Sequence, residues 1–236
     1  QTATVTLDQD ANAIAWAHFG SINRAIVVHS STGGSATGEG NYSTVESVAI
    51  TAVPDDNYSF AGWEIGGAVS FAVSTGPRQY LGTANSYFIG GQESPPLTLV
   101  RGNVYSFVLD GSTTANHPFY FSSDSSGGGN SYSGEYLDGV TNSRAASGKI
   151  TISVNENTPD TLFYHCGLQT GMGSKITITD VTGLVGDVNA ASTYASANAS
   201  YAVQARFSLA NHILALNAGI GGNVSGSGYF VHGTNA

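Results

Sequence analysis

The side chains that could do chemistry in this chain are few, and they begin with Cys166, the one cysteine of 236 residues. It cannot close a disulfide within the chain, so its role is that of a buried small hydrophobe, a reactive thiol or a metal ligand. Asp55-Asp56 and Asp124 could ligate calcium, yet none has the alternating acidic spacing of a dedicated loop, and they read as solvated turn residues. His18, His29, His212 and His232 stand isolated in the sequence and read as surface or core histidines. No G-x-S-x-G elbow and no phosphate loop is present, and no motif gathers a nucleophile, a base and an orienting acid. The chain is therefore expected not to be an enzyme. Asn41, Asn57, Asn198 and Asn223 each open a glycosylation-like triplet, which arises readily by chance in an Asn- and Ser-rich chain and carries no modification claim.

The elements that hold these residues are read from composition and pattern. A hydrophobic content of 41% over this length is enough for one large or two to three small domains with real cores. Only 10% of residues are charged while Gly supplies 31, so solubility rests on Ser, Thr, Asn and Gly, a composition typical of extracellular or virion proteins. A net charge of -9 leaves no basic surface for phosphates, which argues against nucleic acid and against anionic membranes. No apolar run approaches the ~18 residues that span a bilayer, so membrane insertion is not expected. The chain opens on Gln1 without a basic and apolar leader, which reads as a processed product or a piece of a longer polypeptide.

Short apolar alternation broken by Gly, Ser and Asn predicts half-buried strands, as at Val45-Val48-Ile50 and Lys149 to Val154. Turn chemistry is dense at Gly33-Gly34, Pro54 to Asn57, Gly66-Gly67, Pro95-Pro96 and Gly127 to Gly129. Domain boundaries are placed near Gln92 to Pro96 and near Asp180 to Gly183. From Asn189 to Asn217 the chain is Ala-rich and Pro-free, which favours helix, but Tyr201, Val203, Ala205, Phe207 and Leu209 alternate with polar or small residues and favour a strand. The Gly-rich apolar end beyond it suggests intermolecular packing.

Two stretches resemble known families. Residues 26 to 71 carry a strand, Gly33-Gly34, Gly38 to Tyr42, a strand ending at Val53-Pro54, and Tyr58-Ser59-Phe60-Ala61-Gly62-Trp63. This resembles the divergent B-repeat of bacterial internalin-type surface proteins, which implies a small β-grasp-like spacer or adhesive module without catalytic residues. Residues 95 to 180 carry strands at Leu97 to Val100 and Val104 to Asp110, then His117-Pro118, and later Tyr164-His165-Cys166-Gly167-Leu168-Gln169-Thr170-Gly171-Met172-Gly173 before a last strand. This resembles a cupredoxin, a β-sandwich whose copper takes a thiolate, two imidazoles and a weak axial thioether. The resemblance puts His117, Cys166 and Met172 at ligand positions and Gln169 where the second histidine should be. An amide oxygen is a harder, weaker donor, and losing one of three strong ligands removes most of the affinity. His165 adjoins Cys166 and should point to the opposite face. The loop, the Pro95-Pro96 entry and the segment from Tyr136 to Ser143 are similar to copper-free cupredoxin-like modules of marine phage structural proteins. No cofactor is expected on that reading, and copper is the alternative.

The expected fold is all-β: an N-terminal strand segment (1–25), a B-repeat-like, β-grasp-like module (26–92), a cupredoxin-like β-sandwich (93–180) and a C-terminal assembly segment (181–236). The expected function is that of a non-enzymatic structural protein on the surface of a phage virion, as capsid decoration or tail fibre. It would self-associate or bind other virion proteins through residues 184–232 and could touch a host-surface glycan or protein. The alternatives are an exported bacterial surface or filament protein with adhesive modules, and an extracellular copper-binding electron-transfer protein. Deletion of 184–232 is expected to leave a soluble monomer.

Overall fold

The computed structural model describes residues 23–43, 46–79, 84–129, 131–180, 184–185 and 187–233. Most of the expected N-terminal strand segment, with His18 and Val45, lies outside them, and of the Asp180 to Gly183 boundary only Asp180 is described. In chain order the strands are β1 (Arg24–Ser30), β2 (Gly34–Thr37), β3 (Gly40–Tyr42), β4 (Ser47–Pro54), β5 (Tyr58–Ile65), β6 (Gly67–Pro77), β7 (Asn85–Ile89), β8 (Gln92–Glu93), β9 (Leu97–Val100) and β10 (Asn103–Leu109). A helical turn, α1 (Gly111–Thr114), precedes β11 (Phe119–Ser122), β12 (Val140–Thr141), β13 (Gly148–Ser153), β14 (Thr161–Cys166), β15 (Ser174–Thr179), β16 (Leu184–Val185), β17 (Ser192–Ser196), β18 (Tyr201–Leu209), β19 (Asn211–Leu214) and β20 (Gly228–Val231). The protein is all-β, built of sandwich-like sheets, as the alternation predicts.

Two four-stranded sheets, β3-β1-β18-β5 and β16-β17-β4-β2, share one core. Every second residue of β4 points inward, so Val48, Ile50 and Ala52 meet Ile26, Val28, Trp63, Tyr201 and Val203. Trp63 satisfies its indole N–H on the Ala190 carbonyl at 3.1 Å, and each such fully buried large side chain stabilises the fold by roughly 1.5–3 kcal/mol. The second sandwich pairs the sheet β12-β13-β10-β6-β7-β8 with β11-β14-β15-β9. Each of its sheets contains one parallel pair, β6 with β10 in the first and β9 with β15 in the second. Its core is aromatic: Phe119 stacks on Tyr164 with ring centres 5.5 Å apart, and Phe107 packs edge-on against Phe121 at 5.3 Å.

The domain boundaries differ from those read off the turns. β6, β7 and β8 pair with β10, not with the first sandwich, so the Gln92 to Pro96 turn is a crossover within the second sandwich. The joint lies at Gly66-Gly67, whose φ values of 145° and 140° are open only to glycine. A β-carbon on Gly67 would also press on Ala202 and the His29 ring. The C-terminal segment is likewise corrected. β17 pairs with β4, and β18 lies between β1 and β5, parallel to β1 in the register Ile26↔Tyr201. Residues 67–179 are thus inserted into a sandwich made from 24–65 and 184–209. The strand reading of Tyr201 to Leu209 agrees with β18, and its partners are intramolecular. Deleting 184–232 would therefore strip core strands from the first sandwich. The strands β19 and β20 pair with each other in a sheet of their own and place no residue in either core.

Candidate metal centre

His117 is positioned from both sides. Asp110 caps α1, its carboxylate accepting from Ser112 N–H at 3.1 Å, and the His117 N–H donates to the Thr114 carbonyl at 2.7 Å. Tyr87 donates its hydroxyl to the His117 carbonyl at 2.7 Å. Cys166 ends β14 directly opposite Phe119 of β11, and Gly167 N–H donates to the Pro118 carbonyl at 2.8 Å. That pairing brings the thiol and the imidazole together: Cys166 Sγ stands 3.7 Å from His117 Nδ1.

The other ring nitrogen, His117 Nε2, meets the Asn85 side-chain amide at 3.2 Å. An amide can present either its NH₂ or its oxygen. With NH₂ donating, the imidazole proton sits on Nδ1 and points at the sulfur. With oxygen accepting, the proton moves to Nε2 and Nδ1 becomes a free donor pair for a metal. Burial lowers the proton affinity of His117, which keeps the imidazole in the neutral form that ligates. The Tyr87 phenol is pushed well up by burial first and by the neighbouring Cys166 second, so it stays protonated and holds its hydrogen bond.

The loop between Cys166 and β15 is fixed rather than open. Arg78 donates to the carbonyls of Thr170 and Gly171 at 3.3 and 2.6 Å. Met172 is fully buried, and its carbonyl accepts from Tyr87 N–H at 3.1 Å and from the Ser94 hydroxyl at 2.7 Å. Tyr132 lies over Gly167 so closely that any β-carbon there would overlap its ring, and a β-carbon on Gly173 would strike the Tyr164 carbonyl. Arg144 lies over the Tyr132 ring, 4.1 Å from its centre. His165 points away from Cys166, as strand alternation requires, and its Nε2 lies 2.9 Å from the Asp124 carbonyl.

Metal–sulfur and metal–nitrogen bonds of about 2.3 and 2.0 Å, opened by a tetrahedral to trigonal angle, put the two donors about 3.5–3.8 Å apart. The observed separation fits one ion between Cys166 and His117. Of the other two expected ligands, Met172 shares the buried core and Gln169 is partly exposed on the loop. Among the described residues, no three His, Cys, Asp or Glu side chains converge on one point. Asn85, Tyr87, Arg78 and Tyr132 were not singled out from the sequence, because strand pairing, not a local motif, brings them to this site.

Residues 25–81 match the family model of the divergent InlB B-repeat domain, and residues 64–180 match that of the At5g54830-like domain. The second match coincides with the span of the second sandwich, Gly67–Thr179, rather than with a module beginning near residue 93. No curated protein and no solved structure matches the chain. No helix among the described residues is long and apolar enough to cross a membrane.

Proposed function

We propose that this chain is a non-enzymatic structural protein displayed outside the cell, a capsid decoration or tail fibre of a virion, which self-associates through the segment after Leu209. The observation that carries self-association is the composition of that segment. No Lys, Arg, Asp or Glu follows Arg206, yet Ile213, Ile220 and Tyr229 are 68%, 111% and 78% exposed. A two-stranded hairpin is marginal by itself, and its open edges, without charges to blunt them, favour pairing with another chain. The similarity of residues 25–81 to a surface-protein repeat and the low overall charge support an extracellular setting. Sedimentation of the full chain against a chain ending at Leu209 tests the association: oligomers from the first and monomers from the second are expected, and a monomeric full chain would refute it. Mass spectrometry of purified particles and of the cell envelope tests the setting. Recovery from the envelope alone would replace the virion with an exported bacterial surface or filament protein.

A second reading, copper binding by a cupredoxin-like sandwich, is favoured by the 3.7 Å approach of Cys166 to His117. The order β7-β6-β10-β13 facing β11-β14-β15-β9, with His117 before β11 and Cys166 at the end of β14, supports the likeness. Here His117 and Cys166 would hold the ion, Asn85 would fix the imidazole, and Met172 and Gln169 would be weak donors. Titration of the reduced protein with Cu(II) decides: an intense thiolate-to-copper absorption band lost in Cys166→Ala supports it, and no band leaves the loop as scaffold.

A further inference from the structure

The hairpin β19–β20 brings together two histidines that are twenty residues apart in the chain. The register pairs Asn211 with Val231 and His212 with Phe230, and His232 N–H donates to the Ala210 carbonyl at 2.9 Å. His212 and His232 are therefore diagonal neighbours on one face of the hairpin. Both are exposed. Their ring centres lie 5.3 Å apart with planes inclined at 60°, so the rings are tilted and not stacked.

A metal–nitrogen bond of about 2.0–2.1 Å, plus about 1.1 Å from nitrogen to ring centre, opened by a tetrahedral angle, separates the centres of two imidazoles on one ion by about 5.1–5.2 Å. The ring centres of His212 and His232 are therefore about as far apart as those of two imidazoles that share one ion. Neighbouring chemistry does not oppose a cation: no Lys or Arg follows Arg206, and the other ionisable side chain of the hairpin, Tyr229, is on the opposite face by strand alternation. No acidic side chain lies between Asp187 and His232 in the sequence.

We propose that His212 and His232 form a two-imidazole site for a divalent transition-metal ion of the zinc, nickel and copper class, the ions that imidazole suits best. This site is separate from the His117–Cys166 pair and does not depend on the self-association reading. Two coordination positions stay open, for water or for the same pair from a second copy, and stoichiometry tells these apart.

Equilibrium dialysis of the full chain with Zn²⁺ tests it, beside His212→Ala, His232→Ala and Cys166→Ala. Losing either histidine should weaken one zinc site by about tenfold or more, since loss of even an outer-shell partner costs about 10–100-fold, while Cys166→Ala should leave that site unchanged. Both histidines are exposed, so the variants should keep the far-ultraviolet circular dichroism of the parent. One zinc per chain on a monomer would assign water to the open positions, and one zinc per two chains on a dimer dispersed by EDTA would assign the second copy. Zinc binding that is the same in both histidine variants as in the parent, or no binding by the parent, would overturn the site.

Discussion

The Asn85 amide and the His117 imidazole share one hydrogen bond, so amide orientation and imidazole tautomer are set together, and only the tautomer protonated on Nε2 leaves His117 Nδ1 free for a metal. A second residue, Asp124, holds the loop that passes over this region. Its carboxylate accepts from the Ser133 hydroxyl at 2.6 Å and from Ser126 N–H at 2.9 Å, and these bonds, Ser133 first, hold its pKa down to about 2. An unfolded aspartate titrates near about 3.9. The folded value is depressed, so the stabilisation is present above about pH 4 and is lost as the pH falls towards about 2. The parent should therefore lose stability across that window more steeply than Asp124→Asn, which has no charge to lose. Urea midpoints at about pH 5 and about pH 2.5 read the difference, and equal losses would remove Asp124 from the acid response.

At the scale of elements, β18 is the strand on which the first sandwich depends. Its Tyr201, Val203 and Ala205 side chains enter one core and Ala202 enters the other, which is why a strand read as half-buried is buried at three consecutive positions. A chain ending at residue 183 lacks β17 and β18, so amides of β1 and β4 should lose the slow hydrogen exchange they keep in a chain ending at Leu209. Retained protection in the shorter chain would show that these strands do not need β18. The alternation of β18 was legible because it is local. Its partner was not: β1 pairs with it in parallel across the whole inserted sandwich, and nothing in either strand records that distance. The Gln92 to Pro96 turn was legible as a turn, but turn residues do not tell a crossover between sheets from a joint between domains. At the candidate site the donors were readable as residue types, whereas their spacing came from the β11–β14 register. His212 and His232 read as isolated for the same reason, because only the hairpin register makes them neighbours.

The whole molecule is an interlocked pair of sandwiches, and the joint between them is polar and buried. Asn103, 1% exposed, accepts from Ala202 N–H at 2.8 Å and donates to the Val100 carbonyl at 3.3 Å. Tyr105 donates to the Ser200 carbonyl at 2.6 Å and accepts from Val100 N–H at 2.7 Å. Each of these groups is out of reach of water, so a missing partner leaves a buried donor or acceptor unpaired at about 1–3 kcal/mol. Two chain crossings and these bonds tie the unfolding of one sandwich to that of the other: β18 cannot leave the first core without withdrawing Ala202 from the second. The protein should therefore unfold in one transition, with amides of β1 and of β10 opening at the same urea midpoint. Asn103→Ala should lower that shared midpoint by the equivalent of about 1–3 kcal/mol, because the Ala202 N–H then stays buried without an acceptor. If β1 and β10 instead open at separate midpoints in the parent, the joint does not couple them, and the insertion is a matter of chain path and not of energy.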